Sequence, residues 1–260
     1  MGTVDHMHAE RSGQRGAPAR AIDVNSDVGE LPDPLIDAQL MELITSANVA
    51  CGGHAGDHSS MLRVCRLASD HNVAVGAQVS YPDQEGFGRR KLDITPDALH
   101  AAIARQFEEL AEAARSADTQ VRYIKPHGAL YHAAIDDPGT ADAIVRLADT
   151  YRIPLLTLGF GELRQRADNA AIPVFHEAFI DRGYQPDGRL TSRGEPDAIL
   201  DDTAALDRLN EWVQHDFHGA HSLCVHSDTP DVVGLTRKVR RALAAHDLDI
   251  RSFIGGPYDR

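Results

Sequence analysis

Cysteine is scarce in this chain. Only Cys51, Cys65 and Cys224 occur in 260 residues, and no two form a CxxC pair. An odd number of distant thiols argues against a disulfide framework and for a reducing cytoplasm. Aromatic residues make up only 5%, so small and aliphatic side chains must do most of the packing. Positive charge is also short: 26 basic residues against 39 acidic ones give a net charge of −13. That balance disfavours nucleic acid or an anionic membrane as the main partner. No run approaches the roughly 18 apolar residues of a membrane helix, and the N-terminus lacks the apolar stretch of a signal peptide. GxGxxG and P-loop patterns are missing, so the chain shows no recognisable nucleotide-binding loop of its own.

Internal repeats are absent too, and no convincing linker follows residue 20. Residues 1–20 are polar and rich in Gly and Arg, and read as a disordered arm. The remainder, 21–260, reads as one α/β domain in a chain that is 42% hydrophobic. Short apolar runs alternate with amphipathic ones. Strands are predicted at Ala21–Val24, Ile44–Ala50, Val73–Val79, Val121–Lys125, Ile153–Leu158, Ile172–Phe175 and Ser222–Val225. A helix after Asp57 buries Met61, Val64, Cys65 and Ala68, which recur at i, i+3, i+4 and i+7. Thr95-Pro96, Asp137-Pro138 and Thr229-Pro230 each look like an N-cap followed by proline in the first turn. About seven βα units imply a parallel sheet. A distorted or incomplete (β/α) barrel is the first expectation and an open doubly wound sheet the second.

The unusual polar residues gather where strands end, the place where barrel enzymes build their sites. Asp23, Asn25, Asp27 and Glu30 crowd the end of the first strand, and alternation puts Asp23, Asn25 and Asp27 on one face. Asp27 reads equally as an acid/base or metal ligand and as a carboxylate that satisfies turn amides. Asp23, inside the strand, reads as a structural hydrogen-bond partner. Around Asn48–Asp57 the chain is glycine-rich and carries Cys51, His54 and Asp57. His54 is a candidate base or ligand. Cys51 is first a packing residue and only second a nucleophile. Asp57 is most simply a helix cap. Lys125-Pro126-His127-Gly128 sets a cation and an imidazole on a rigid turn. Arg89 and Arg90 lie beside glycines and suit a carboxylate or phosphate. The polar stretch 177–193, with Glu177, Asp181, Arg182, Tyr184, Asp187 and Arg193, reads as a functional loop over the barrel mouth. His226 and Asp228 end the seventh strand.

These clusters together resemble the LamB/YcsF family, which corresponds to the A subunit of prokaryotic 5-oxoprolinase. A DLNCDLGE-like stretch matches Asp23–Glu30, and NIACGFHAGD matches Asn48–Asp57. GAHPGYPD…GFGRR matches Gly76–Arg90, and KPHGALY matches Lys125–Tyr131. The pattern E-x-F-x-D-R-x-Y-x-x-D-G matches Glu177–Gly188, and CVHGD matches Cys224–Asp228. The resemblance implies a barrel related to the glycoside hydrolase and sugar deacetylase barrels. It also implies ATP-dependent opening of 5-oxo-L-proline to L-glutamate with partner subunits B and C. On that reading Asp27, His54, Lys125 and His127 are catalytic. Asn25, Gln78, Arg89, Arg90, Asp181, Arg182, Tyr184, His226 and Asp228 bind substrate. ATP is a co-substrate, and a divalent metal would lie on Asp27 and His54. The chain departs from the pattern at Ser26, Gly53, Gln78, Val79, Ser80 and Ser227, where the family has Cys, Phe, His, Pro, Gly and Gly. Gln78 weighs most, since an amide cannot titrate. Two alternatives stay open. One is a metal-dependent deacetylase or amidohydrolase acting alone, with Asp27, His54 and His127 around the ion. The other is a non-catalytic subunit that binds a small acid.

Overall fold

A computed structural model describes residues 20–255. The arm expected over residues 1–20 lies outside them except for Arg20, whose guanidinium pairs with Asp216 at 2.7 Å. Seven strands run parallel: β1 (Ala21–Val28), β2 (Ser46–Ala50), β3 (Ala74–Val79), β4 (Val121–Pro126), β5 (Leu155–Thr157), β6 (Val174–Phe179) and β7 (Ser222–Val225). Each pairs with the next, and β1 pairs with both β2 and β7, which closes the ring. The sheet is therefore a closed, TIM-like barrel rather than an incomplete or open one. A two-residue strand, β8 (Asp249–Ile250), pairs with Ala21 and Ile22 at the start of β1.

Eight α-helices surround the barrel among the described residues: α1 (Pro34–Met41), α2 (His58–His71), α3 (Pro96–Arg115), α4 (Gly128–Asp136), α5 (Pro138–Tyr151), α6 (Glu162–Asn169), α7 (Asp202–Gln214) and α8 (Val232–Ala245). Their apolar stripes face the outside of the barrel. Met61, Val64, Cys65 and Ala68 of α2 are buried, as are Leu99, Ile103, Phe107, Leu110 and Ala114 of α3. They meet Val24, Val28, Ala47, Val49, Val75, Ala77 and Val79 in one core cluster. Burial of this kind stabilises by roughly 1.5–3 kcal/mol for each large aliphatic side chain.

Local chemistry sets the helix starts. Asp57 caps α2 by accepting the Ser60 N–H at 2.8 Å, and the Ser60 hydroxyl accepts the Asp57 N–H in return. Thr95 and Asp137 cap α3 and α5, each followed by proline. The expected start at Thr229-Pro230 is corrected. Helix α8 begins at Val232 and is capped by Asp231, which accepts the Gly234 N–H at 3.2 Å. Thr229 instead donates its hydroxyl to the Asp181 carboxylate.

Two strand ends are corrected as well. β1 runs on to Val28 instead of stopping at Val24, and β6 spans Val174–Phe179 instead of 172–175. Polar residues hid both continuations. Asn25 and Asp27 lie inside the barrel, bonded to Asn48 and Ser222, so polarity here marks the inward face and not the strand's end. Glu177, expected to open a loop, is a buried member of β6.

Candidate functional site

The C-terminal ends of the strands surround a cavity of about 440 Å³. Asp27, Gln78, Lys125 and Phe179 line it from within the strands, and Glu30, His127 and His226 line it from the turns just after them. Arg89, Arg182, Arg189 and Arg193 form a cationic side wall. A strongly acidic chain thus keeps a patch suited to anions at its mouth.

Lys125 sits deepest. Its ammonium lies 2.8 Å from Glu177, 3.6 Å from Asp27, 3.2 Å from the Asn25 amide oxygen and 3.2 Å from Cys224 Sγ. Burial works against its charge, but Cys224, Glu177 and Asp27 outweigh that and hold its pKa well above the ordinary lysine value. Asp27 accepts from the Asn48 amide at 2.9 Å. Burial pushes its pKa up, but Lys125, His226, His127 and Asn48 overcome this and bring it to about 2. Asp27 and Lys125 therefore face each other as charges.

A second group lies beside the first. Glu30 accepts from His54 Nε2 at 3.0 Å and from the Ser227 hydroxyl at 2.8 Å. Burial, with the Asp27 charge nearby, raises its pKa to about 7. His54 and His127 stack, with ring centroids 3.7 Å apart and planes within 7°. Burial lowers each of their pKa values to about 4, and for His127 the neighbouring His54 adds to the effect. Both rings are therefore neutral at pH 7. His127 Nε2 faces the Phe87 carbonyl oxygen at 3.1 Å, so that nitrogen carries the proton. Nδ1 then accepts the Gln78 amide N–H at 3.0 Å. Gly88 makes the stack possible. Its φ is +66°, and a Cβ there would sit 2.8 Å from His54 Cβ and 3.1 Å from His127 Cδ2.

Donor atoms of Glu30, His54 and His127 fall within 4.8 Å of one another. They do not fit a shared metal ion as arranged. An imidazole binds a metal in its own ring plane. Two parallel rings stacked at 3.7 Å have no point in both planes at bonding distance. Asp27, the other carboxylate expected to ligate, is turned to Lys125 and Asn48. The group is a hydrogen-bonded cluster.

The other candidates divide clearly. Asp181 is wholly buried and accepts from His226 Nδ1 at 2.9 Å, the His226 N–H at 2.9 Å and the Thr229 hydroxyl at 2.5 Å. Burial opposes its charge, but these donors hold its pKa well below the carboxylate range. Asp228 bridges Arg89 at 2.6 Å and Arg193 at 2.8 Å. Arg182 spends its guanidinium on the carbonyls of Ala198 and Thr191. Arg90 pairs with Asp83 and does not line the cavity. Tyr184 also lies off the cavity wall and accepts the Phe179 N–H at 2.7 Å. Asn25 sits beneath the floor, bonded to Ser222 and Asn48. All three thiols are buried and unpaired. Burial raises the Cys51 pKa far above the ordinary thiol value, which leaves an inert thiol rather than a nucleophile.

Sequence reasoning gave no role to Glu30 or Tyr131 and set Glu177 in a loop. Glu30 had a signal, a carboxylate one glycine beyond the first strand. Tyr131 stands four residues after His127, one helical turn onward into the same cavity.

Buried carboxylates, imidazoles and cations at the C-terminal mouth of a closed (β/α) barrel make up the kind of site that barrel enzymes use. A sequence model of the LamB/YcsF family matches residues 22–255, and the chain belongs to that family. It is 44% identical over 252 residues to a Streptomyces avermitilis protein named as the A subunit of 5-oxoprolinase, covering 89% of this chain and 99% of that one. A Mycobacterium avium protein of the same name is 42% identical, with 89% and 98% covered. The crystal structure of a lactam utilization protein from Thermus thermophilus superposes with a TM-score of 0.81 at 32% identity, over 90% of this chain and 100% of that chain. A family 4 carbohydrate esterase from Streptomyces lividans gives a TM-score of 0.50 at 10% identity, covering 90% and 93%, a likeness of fold alone.

Proposed function

We propose that this chain is the A subunit of a 5-oxoprolinase, a hydrolase that opens 5-oxo-L-proline to L-glutamate with ATP as co-substrate and with partner subunits B and C. Family membership and the names of its relatives support the reading. The observation that carries it is the cavity's composition: a cationic wall beside a buried carboxylate whose pKa, about 7, suits proton transfer near neutrality. Three buried, unpaired thiols agree with a cytoplasmic setting.

A lactam is a stable amide, so its hydrolysis near neutral pH is helped by ATP-dependent activation of the carbonyl oxygen. The site must then hold the substrate carboxylate, accept a proton from water and supply one to the ring nitrogen. Arg89, 43% exposed at the mouth, is the candidate for the carboxylate. Glu30 is the candidate for the water. Asp27 and Lys125 set the charge of the floor, and His54 fixes Glu30 through its hydrogen bond.

The test mixes this chain with purified subunits B and C and follows 5-oxoproline-dependent ATP hydrolysis and glutamate release. Turnover that requires this chain is the expected result. Silence beside a working relative that has His at the Gln78 position, unrelieved by Gln78→His, would remove the reading. Amide cleavage without ATP, together with a stoichiometric divalent ion, would put the metal-dependent hydrolase in its place.

A further inference from the structure

Several imidazoles line or back the cavity, and their ring nitrogens are not equally available. His54 has a wholly buried side chain, with Nε2 on Glu30. Both ring nitrogens of His127 are engaged, Nδ1 by the Gln78 amide and Nε2 by the Phe87 carbonyl. His132 is exposed at the rim, with no carboxylate bonded to it among the described residues.

His226 differs. It lines the cavity, and its plane is set by the Phe179 ring, stacked at 5.1 Å and 15°. Nδ1 meets Asp181, a carboxylate that already accepts the Thr229 hydroxyl and the His226 backbone N–H. With two donors already on it the carboxylate is ionised and can only accept, so Nδ1 carries the proton. That leaves Nε2, for which no hydrogen-bond partner exists among the described residues. A buried carboxylate on one ring nitrogen and an open cavity on the other is the arrangement that orients an imidazole for proton transfer and stabilises its cation.

We propose that His226, oriented by Asp181, is the catalytic group that protonates the ring nitrogen as the lactam C–N bond breaks, while His54 and His127 move no proton to or from substrate. The inference rests on the lactam-opening reading above. Water adds to the carbonyl carbon and gives one proton to Glu30. The C–N bond then breaks, its electron pair staying on nitrogen, and the His226 imidazolium passes its Nε2 proton to that nitrogen. The new carboxylic acid returns a proton to His226, and Glu30 gives its proton to the amine. The net change is lactam plus water to the open amino acid. Proton delivery to nitrogen is the same when ATP has first activated the carbonyl oxygen. Adjacent residues hold the two partners in place, since Ser227, next to His226, donates to Glu30 at 2.8 Å.

The test is steady-state turnover of 5-oxoproline by the chain with subunits B and C, for wild type, His226→Gln, His226→Ala, Asp181→Asn and His127→Gln. His226→Gln is expected to lower kcat by about 10²–10⁴-fold with little change in KM, and to remove one limb of the pH–kcat profile. Asp181→Asn lowers kcat in the same way. Added imidazole restores part of the His226→Ala activity, which a merely structural role would not allow. His127→Gln retains the limb that His226→Gln removes, while the limb set by Glu30, 3.4 Å from His127 Nδ1, shifts. An undiminished kcat in a folded His226→Gln variant overturns the inference and leaves the lactam-opening reading standing. So does an unchanged pH profile with no imidazole rescue. No turnover by the wild-type chain sinks the reading and the inference together.

Discussion

Each site residue acts through what its neighbours leave it free to do. Glu30 and Asp27 are both buried carboxylates at one strand end, yet their pKa values separate to about 7 and about 2. The cause is the position of the cations. Lys125 lies 3.6 Å from Asp27, whereas Glu30 meets neutral imidazoles, the Ser227 hydroxyl and the Gln78 amide. Divergent values on neighbouring carboxylates are how one site supplies both a fixed charge and a proton carrier at neutral pH. Glu30→Gln keeps the shape and one hydrogen-bond acceptor but cannot take a proton. It is expected to lower turnover by about 10²–10⁴-fold. The wild-type rate should rise with pH through about 7 as Glu30 becomes a free base. Rates of both proteins from pH 6 to 8.5 check this. A Glu30→Gln rate close to wild type would remove the base assignment. Gln78 also acts through a neighbour: its amide caps His127 Nδ1, and its own Oε1 is buried with no hydrogen-bond partner among the described residues.

Elements explain a second departure from the family pattern. Gly53, in the turn after β2, stands where the family has Phe, and Ser80, after β3, stands where it has Gly. In the fold these positions meet. A Cβ on Gly53 would press on the Ser80 hydroxyl and lie 2.5 Å from Gln106 Oε1 of α3. Gln106 fills that space; its amide oxygen accepts the Ser80 N–H and its amide nitrogen donates to the Ser80 carbonyl, at 2.9 Å each. Gly53→Ala therefore overpacks a satisfied polar contact and should destabilise by about 1–3 kcal/mol. Urea denaturation should show a lower midpoint with an unchanged slope, and an unmoved midpoint would mean that the turn yields freely. The same elements show what the sequence could reveal. Strands β2, β3, β4 and β7 and helices α2, α3 and α5 were legible because one face of each follows a simple period or carries a cap. Helix α6 was not, since Leu163 and Ala167 are its only buried residues. α1, α4 and α7 escaped as well, α4 because it begins inside a motif that reads as chemistry. The strand-end clusters were legible as a site, but the partner of each residue was not. Asp181 finds His226 45 positions away, across the β6–β7 pair, and Ser222 finds Asp23 across 199, a contact that barrel closure creates.

The whole molecule turns the usual arrangement of a domain around. Its apolar core lies outside the barrel wall, and the barrel interior is a polar ladder. Asp23 at the lower end bonds Thr45, Ser46 and Ser222, Ser222 bonds Asn25, Asn25 bonds Asn48, and Asn48 reaches Asp27 at the cavity floor. Buried polar groups are tolerated when each has a partner. A charge at the closed end is harder to hold than one beside Lys125. Burial raises the Asp23 pKa to about 6, with Glu177 adding to the effect and the hydroxyls of Ser222, Thr45 and Ser46 opposing it. The folded state therefore binds this proton more tightly than the unfolded chain, whose Asp titrates at about 3.9. The stabilisation from neutral Asp23 is complete below about pH 4 and is lost as pH rises through about 6. Asp23→Asn removes the titration and keeps the shape. Its fixed effect on stability is the same at every pH, so the comparison rests on slopes alone. Between pH 4.5 and 7 the wild type should lose roughly 2 kcal/mol of stability relative to the variant. Unfolding midpoints of both proteins across that range measure it. Parallel pH dependences would show that Asp23 enters the barrel as a charge and that the ladder's hydroxyls, rather than its burial, govern the lower end.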